Sequence, residues 1–273
     1  MKKLIINADD FGFTLGANQA IFKAHTEGYL THASLMANTE YFEDAVSLLP
    51  QCHGLKIGVH VTLTCGKSLA KESVLEKNDN LDYTFVQLLL MRKSASVLKS
   101  IENEVEAQIL KIKEQGIEIS HIDGHEHIHI IPSINKIVRR LAKKYQIERV
   151  REINENFFES LRFNRKNTTV ANIIKLLLLK TLSLFNEKSS SVGFYSMLNT
   201  CNITAENLFP FLDKSKRYNT VEVMLHPSII GADSNEYLQT LAPRFRTFIN
   251  DETRTEEFEL CFNKEFENYL KLV

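Results

Sequence analysis

The chain has 273 residues, 44% of them hydrophobic and 25% charged, a globular composition that excludes disordered and low-complexity readings. Thirty-three Lys and Arg stand against 34 Asp and Glu for a net charge of −1, so no whole-chain electrostatic footprint for nucleic acid exists. The length allows one or two domains, or one large α/β barrel that folds without disulfide staples.

Cys52, Cys65, Cys201 and Cys261 are widely spaced and form no C-x-x-C pair, the pattern of reduced thiols in an intracellular protein. Met1-Lys2-Lys3-Leu4-Ile5-Ile6 opens like a signal peptide, but Asn7 ends the apolar stretch and Asp9-Asp10 follows. The most apolar segment, residues 173–185, carries Lys175 and Lys180 and is too short to span a bilayer. A cytoplasmic protein without a transmembrane segment is expected.

In chain order the pattern predicts strand 4–8, helix 15–27, strand 33–37, helix 42–49, strand 56–63, helix 97–115, strand 117–122 and helix 133–145. Strand 149–153, helix 205–212 and strand 220–225 complete it. Gly28 and Gly116 stand at C-cap positions, and Pro132 suits a first helical turn. This alternation implies a parallel sheet in a closed or nearly closed α/β barrel. A doubly wound open sheet is the alternative, weakened because no glycine-rich dinucleotide fingerprint follows the first strand.

Two stretches depart from the alternation. Residues 65–82 are polar and turn-rich, a surface loop. Residues 154–202 contain the 173–185 run, whose leucines point all round a helical wheel; that predicts burial in the core or a subunit interface, with a substrate or membrane surface as the alternative. No repeat or linker divides the chain, so one domain is expected over 1–273, with a mostly helical insertion around 154–202.

Histidines concentrate the chemistry. Of nine in the chain, His121, His125, His127 and His129 fall in one short window with Asp123 among them, where an even spread would place well under one. The titratable residues occupy alternate positions, so an extended segment would present one ligand-like face. Asp9 and Asp10 follow the first predicted strand, His60 lies late in another, and His226 follows strand 220–225. Barrel sites form at the C-terminal ends of strands, so these separate groups predict one site. Two histidines and a carboxylate suit a divalent metal, a second carboxylate suits a base, and a further histidine suits an acid. Such parts hydrolyse an amide, ester or phosphoester. No nucleophile elbow or Cys–His pair is present.

Four motifs carry a family resemblance: Asn7-Ala8-Asp9-Asp10-Phe11-Gly12; Gly58-Val59-His60-Val61-Thr62-Leu63-Thr64; His121-Ile122-Asp123-Gly124-His125-Glu126-His127-Ile128-His129; and Glu222-Val223-Met224-Leu225-His226-Pro227. In that order they resemble the YdjC-like carbohydrate deacetylase family, which includes chitooligosaccharide deacetylases. The resemblance spans residues 7–227 and fades over 154–202. It implies a TIM-barrel-like fold, incomplete or seven-stranded, and removal of acetyl groups from N-acetylated sugars. It also implies one divalent cation, magnesium or zinc, and a homodimer.

Carried over by position, the resemblance makes Asp10, His60 and His125 metal ligands, Asp9 the general base and His226 the general acid. Adjacent Asp9 and Asp10 can exchange roles. Arg151 orients Asp9 or is simply structural, while His121, Asp123, His127 and His129 are left as substrate contacts or supports for the ligands. His25, His32 and His53 are read as structural. Competing readings are a metal-dependent phosphoesterase, which should show a second metal and a basic phosphate clamp, and a catalytically silent metal- or sugar-binding barrel. The sugar depends on residues 65–82 and 154–202, and the apolar 173–185 segment raises a lipid-linked sugar as one option.

Overall fold

The computed structural model describes residues 3–71, 73–76, 80–166, 168–215 and 217–270. Among these, seven strands form one all-parallel sheet: β1 (Lys3–Phe11), β2 (His32–Leu35), β3 (Lys56–Val61), β4 (Ile119–Gly124), β5 (Arg149–Val150), β6 (Gly193–Tyr195) and β7 (Thr220–Leu225), in the order β5-β4-β3-β2-β1-β7-β6. β1 is central and almost wholly buried, as a strand covered on both faces must be.

Helices fill the crossovers. α1 (Leu15–Thr26) is capped by the Thr14 hydroxyl, which accepts from Ala17 N–H. α2 (Phe42–Leu48) and α3 (Phe85–Leu90) are short, α4 (Ala95–Glu114) follows the Ser94 cap, and α5 (Pro132–Lys144) begins with proline in its first turn. α6 (Phe157–Asn164), α7 (Val170–Ser183) and β6 occupy the stretch predicted to be mostly helical, and α8 (Ala205–Lys214) leads to β7. α9 (Asn235–Thr240), α10 (Pro243–Ile249), α11 (Thr253–Leu260) and α12 (Glu267–Leu270) finish the chain.

The sheet is curled. β5 and β7 lie five strands apart in the order, which in a flat sheet is about 24 Å at the usual strand spacing. Yet Arg151, the residue after β5, donates from Nε to Glu222 Oε1 on β7 at 2.7 Å. Only strong curvature brings those side chains together. The two edges also approach: Phe194 N–H of β6 donates to the Asn154 carbonyl at 3.4 Å, and Asn154 Nδ2 donates to the Val192 carbonyl at 3.1 Å. The sheet is therefore an incomplete barrel, which excludes the open doubly wound alternative.

Three local expectations need correction. Strand β4 ends at Gly124, and His125–Ile130 forms a 3-10 turn with Glu126 and His127 in left-handed conformations (φ 52° and 61°), so the histidine-rich segment is extended only in its first half. Gly116 has φ +74° as a C-cap glycine should, but Gly28 does not; it is glycine because a Cβ there would lie 2.7 Å from both the Ala24 and Cys261 carbonyl oxygens. Of α7, only Leu176 and Leu179 are buried within the chain. Residues 65–82 form irregular chain with an isolated Lys67–Asn80 bridge, and positions 72 and 77–79 of that predicted loop lie outside the described residues. No described helix is long and apolar enough to cross a membrane.

Candidate functional site

The site is built at the C-terminal end of the sheet. β1 pairs regularly with β7 from Lys3 to Ala8, but its register with β2 shifts between Ala8 and Phe11. There Asp10 adopts φ 68°, a left-handed conformation that aspartate tolerates better than most residues. The shift breaks the alternation that sends strand neighbours to opposite faces, and both carboxylates of Asp9 and Asp10 come within reach of His60.

His60, on β3, is held by its Nδ1, which lies 2.7 Å from Asp123 Oδ1; its Nε2 faces Asp10 Oδ1 at 3.5 Å. Asp123, on β4, is fully buried, and its Oδ2 accepts from Ser34 Oγ at 2.6 Å. Beneath them lies the His121 ring, its Nε2 3.2 Å from Ser34 Oγ and its Nδ1 2.8 Å from Ser120 Oγ. Gly58 makes room for that ring, since a Cβ there would stand 2.3 Å from His121 Nε2. Burial pushes His121 well below the ordinary histidine range, so it sits there neutral.

Arg151 ties the acids together. Its Nη1 and Nη2 each lie 2.6 Å from an Asp9 oxygen, Nη2 also lies 2.7 Å from Asp123 Oδ2, and Nε serves Glu222. Asn7 Nδ2 donates to Asp9 Oδ1 at 2.7 Å. Glu222 also pairs with Arg149, and against the cost of burial the two arginines hold its carboxyl at about 2.

His125 opens the 3-10 turn. Its Nδ1 lies 3.0 Å from Asp10 Oδ1, and its ring is flanked by Phe13 and Phe245 at 5.6 and 5.5 Å. His127 and His129 follow, buried and held below their usual range chiefly by that burial, His129 at about 3. His127 meets Phe194 edge-on at 6.4 Å, and among the described residues neither ring nitrogen of His129 has a hydrogen-bond partner.

His226 follows β7, close enough that a positive charge on its ring would favour the Asp10 carboxylate. Its backbone N–H donates to Glu257 Oε2 at 2.6 Å, its Nδ1 lies 3.7 Å from that oxygen, and its carbonyl accepts from Arg254 Nε at 3.0 Å. Arg254 and Glu257, both on α11, are fully buried, and Arg254 Nη2 stands 3.8 Å from Asp10 Oδ2.

Two residue groups could hold a cation. Asp10, His60 and His125 present ligand atoms all within 4.8 Å of one another, and among the described residues Asp10 Oδ2 and His125 Nε2 are buried without a hydrogen-bond partner. Those orphaned atoms, in a set of two imidazoles and one carboxylate, fit a divalent metal. Asp9, His60 and Asp123 satisfy the same spacing, but the Arg151 guanidinium already supplies positive charge between the two carboxylates. The local field is strongly negative: burial disfavours charge on His60, yet the carboxylates of Asp123, Asp9 and Asp10 raise it to about 10. Asp10 is itself held well below the carboxylate range, despite burial, by His125 and His60.

The model of the YdjC-like protein family matches residues 3–272. The chain belongs to the YdjC-like family. Proteins named carbohydrate deacetylase resemble it over most of its length: one from Brevibacillus brevis is 30% identical over 84% of this chain and 82% of its own, and one from Clostridium beijerinckii is 30% identical over 92% of each. A solved structure from Enterococcus faecalis V583, described as a cellobiose-phosphate cleavage protein, superposes with a TM-score of 0.69 at 23% identity. It covers 99% of this chain and 94% of its own, a likeness of fold.

For this family member the structure gathers Asp9, Asp10, His60, Asp123, His125 and Arg151 into one contiguous cluster, with His226 beside it and His121 behind it. His25 lies elsewhere, its ring nitrogens near the Leu30 and His53 carbonyls. Arg254 and Glu257 were not anticipated; their i, i+3 spacing, which puts both on one helix face, was the available signal.

Proposed function

We propose that this chain is a carbohydrate deacetylase, a metal-dependent hydrolase that cleaves the acetamide of an N-acetylated sugar and releases acetate. The observation that carries it is the buried Asp10–His60–His125 donor set, in which Asp10 Oδ2 and His125 Nε2 have no hydrogen-bond partner among the described residues, flanked by Asp9 and His226. The names of relatives aligned over most of the chain support it. We read the curled sheet as a seven-stranded variant of the TIM barrel, one domain elaborated by the helical 154–202 segment.

Asp10, His60 and His125 would hold the cation, and two imidazoles to one carboxylate favour zinc over magnesium, which prefers oxygen ligands. A divalent metal bound there supplies a Lewis acid that polarises the acetyl carbonyl. Asp123 fixes the His60 ring through Nδ1, leaving Nε2 toward Asp10. Asp9 accepts the proton of the attacking water; Arg151 fixes its carboxylate plane through both oxygens, and while Oδ1 also accepts from Asn7, Oδ2 keeps a further lone pair for that proton. As the C–N bond breaks, His226 gives its ring proton to the departing sugar amine. Glu257 and Arg254 anchor the His226 backbone and so set where that ring stands. His121 supports Asp123 through Ser34, and His127 and His129 shape the turn that carries His125.

A two-metal phosphoesterase is disfavoured because Arg151 occupies the position between Asp9 and Asp123 where a second cation would sit. The test is acetate release by metal-stripped protein from a panel of N-acetylated mono- and oligosaccharides, with zinc, magnesium, manganese and cobalt restored singly. Release that needs metal and disappears in His60→Ala is expected. Metal binding without acetate from any sugar would refute the deacetylase reading.

A further inference from the structure

The outward face of α7 is apolar and uncovered. Val170, Ile174, Leu177 and Leu178 share it by helical spacing, Leu184 and Phe185 continue it past the last turn, and these residues are between 36% and 74% exposed. The other exposed positions of the helix are Ala171 and Thr181, so no charge interrupts the face. The two lysines of α7 are turned aside and half-buried; Lys180 Nζ donates to the Glu155 carbonyl at 2.6 Å. On α6, Phe158 is exposed as well.

The inward face of the same helix borders the site. Leu176 and Leu179 pack with Ile130, Phe194, Met197 and Leu198. Phe194 in turn stands edge-on to His127 and lies 5.7 Å from the Arg151 guanidinium carbon. One helix thickness, about 10 Å, therefore separates the uncovered face from the wall of the site.

Charge indicates what covers it. Residues 157–188 hold six Lys and Arg against two Glu, in a chain whose net charge is −1. Arg162, Arg165, Lys166 and Lys188 of that stretch are exposed, near both ends of the apolar face. A second copy packed on this face across a two-fold axis would set the basic segment against itself. Anionic lipid headgroups would neutralise it, while the aliphatic side chains enter the boundary between headgroups and acyl chains.

We propose that α7 docks this protein on an anionic membrane surface, and that the acetylated sugar it takes is the headgroup of a lipid-anchored molecule. The substrate half of this rests on the deacetylase reading. Docking on α7 brings the site wall to the lipid surface, where a short, membrane-tethered headgroup could reach it.

The full chain is tested by sedimentation with vesicles of phosphatidylcholine alone or mixed with phosphatidylglycerol. Binding to the mixed vesicles, weakened by salt, is expected. Ile174→Glu and Leu178→Glu should each reduce it by about tenfold or more while leaving acetate release from a soluble N-acetylated oligosaccharide unchanged. Wild type should also deacetylate an N-acetylglucosaminyl lipid in those vesicles faster than the free sugar, and the variants should lose that advantage. No binding by wild type, variants that bind as well as wild type, or a dimer that Ile174→Glu dissociates would each overturn docking. Vesicle binding with no acetate from any sugar would overturn the lipid-linked substrate along with the deacetylase reading and support the docking surface. Acetate release from free sugars without vesicle binding would overturn this inference alone.

Discussion

Replacing Arg151 with methionine tests the centre of the site. The guanidinium serves Asp9 through both terminal nitrogens, Asp123 through Nη2 and Glu222 through Nε, all without solvent exposure. Its loss does not strand the three acids equally: Glu222 keeps Arg149, and Asp123 keeps His60 and Ser34. Among the described residues Asp9 keeps one hydrogen bond, from the amide of Asn7, and a longer-range attraction to His60, so the damage concentrates there. Removing one partner of a buried ion pair costs about 3–5 kcal/mol, because the remaining charge stays buried without compensation. With an unfolding entropy of about 2.1 cal/mol/K per residue over 273 residues, that lowers the midpoint by about 5–9 °C. Calorimetry on Arg151→Met, Asp9→Asn and the double variant gives the check. Deleting the orphaned charge in the double variant should recover most of the lost stability without restoring activity, so the two substitutions are strongly non-additive. A double variant no more stable than Arg151→Met would refute the assignment of the penalty to Asp9.

Four further outcomes follow from the same geometry. Glu222 is held at about 2 against an ordinary 4.5, so its contribution is full above pH 4.5 and fades as the pH falls toward 2; Glu222→Gln should remove about 3 kcal/mol of that acid-sensitive stability in denaturant titrations. Burial raises Glu155 to about 7 from 4.5, the opposite sign: stability declines as the pH rises through that interval, and Glu155→Gln should melt higher than wild type at pH 8 but not at pH 4. Zinc added to metal-stripped protein should raise the melting midpoint by about 2.7 kcal/mol of stabilisation at a hundredfold excess over Kd, and His125→Ala should abolish the shift. Gly58→Ala drives a methyl into the His121 ring and should cost about 1–3 kcal/mol by overpacking, read from the urea midpoint.

Where side-chain pattern and neighbours agree, the sequence was a good guide. The strand expected at 220–225 is β7, because its alternation is reinforced by ladders with both β1 and β6. The strand expected at 149–153 is regular only over Arg149–Val150; Arg151 N–H still donates to the Ile122 carbonyl while its side chain reaches across the barrel. β6 is three residues long and carries too little periodicity to be read. α9 and α10 went unread although Ser234 and Pro243 are ordinary helix-start signals. Asp9, Asp10, His60, Asp123 and His125 were legible as a group because acids and imidazoles repeatedly follow strands. Their pairing was not: the register shift at Asp10 and the left-handed turn at Glu126 and His127 decide which carboxylate meets which ring. Arg254 and Glu257 were hidden for another reason, since their contacts to His226 cross about thirty residues of chain and exist only once α11 docks beside β7.

The curvature of the sheet and the chemistry of the site have a common origin in the glutamate on β7. A seven-stranded parallel sheet whose edges meet through few hydrogen bonds lacks the continuous ladder that closes a complete barrel. Glu222 compensates by drawing Arg149 and Arg151 inward from the far edge strand, against the tendency of an open sheet to spread. Once drawn in, Arg151 has its remaining nitrogens aimed at Asp9 and Asp123, and Asp123 in turn holds His60. The ion pairs that bridge the barrel therefore also orient the side chains at its mouth. Glu222→Gln should for this reason disturb acetate release even though Glu222 pairs with arginines and not with Asp9, Asp10 or the histidines. Its signature would be a loss of kcat with little change in KM, because the positioning of Asp9 is weakened while Glu222 itself, buried and paired with arginines, would not touch the substrate. Unchanged kcat in a folded Glu222→Gln protein would show that closure of the barrel and orientation of the site are separable after all.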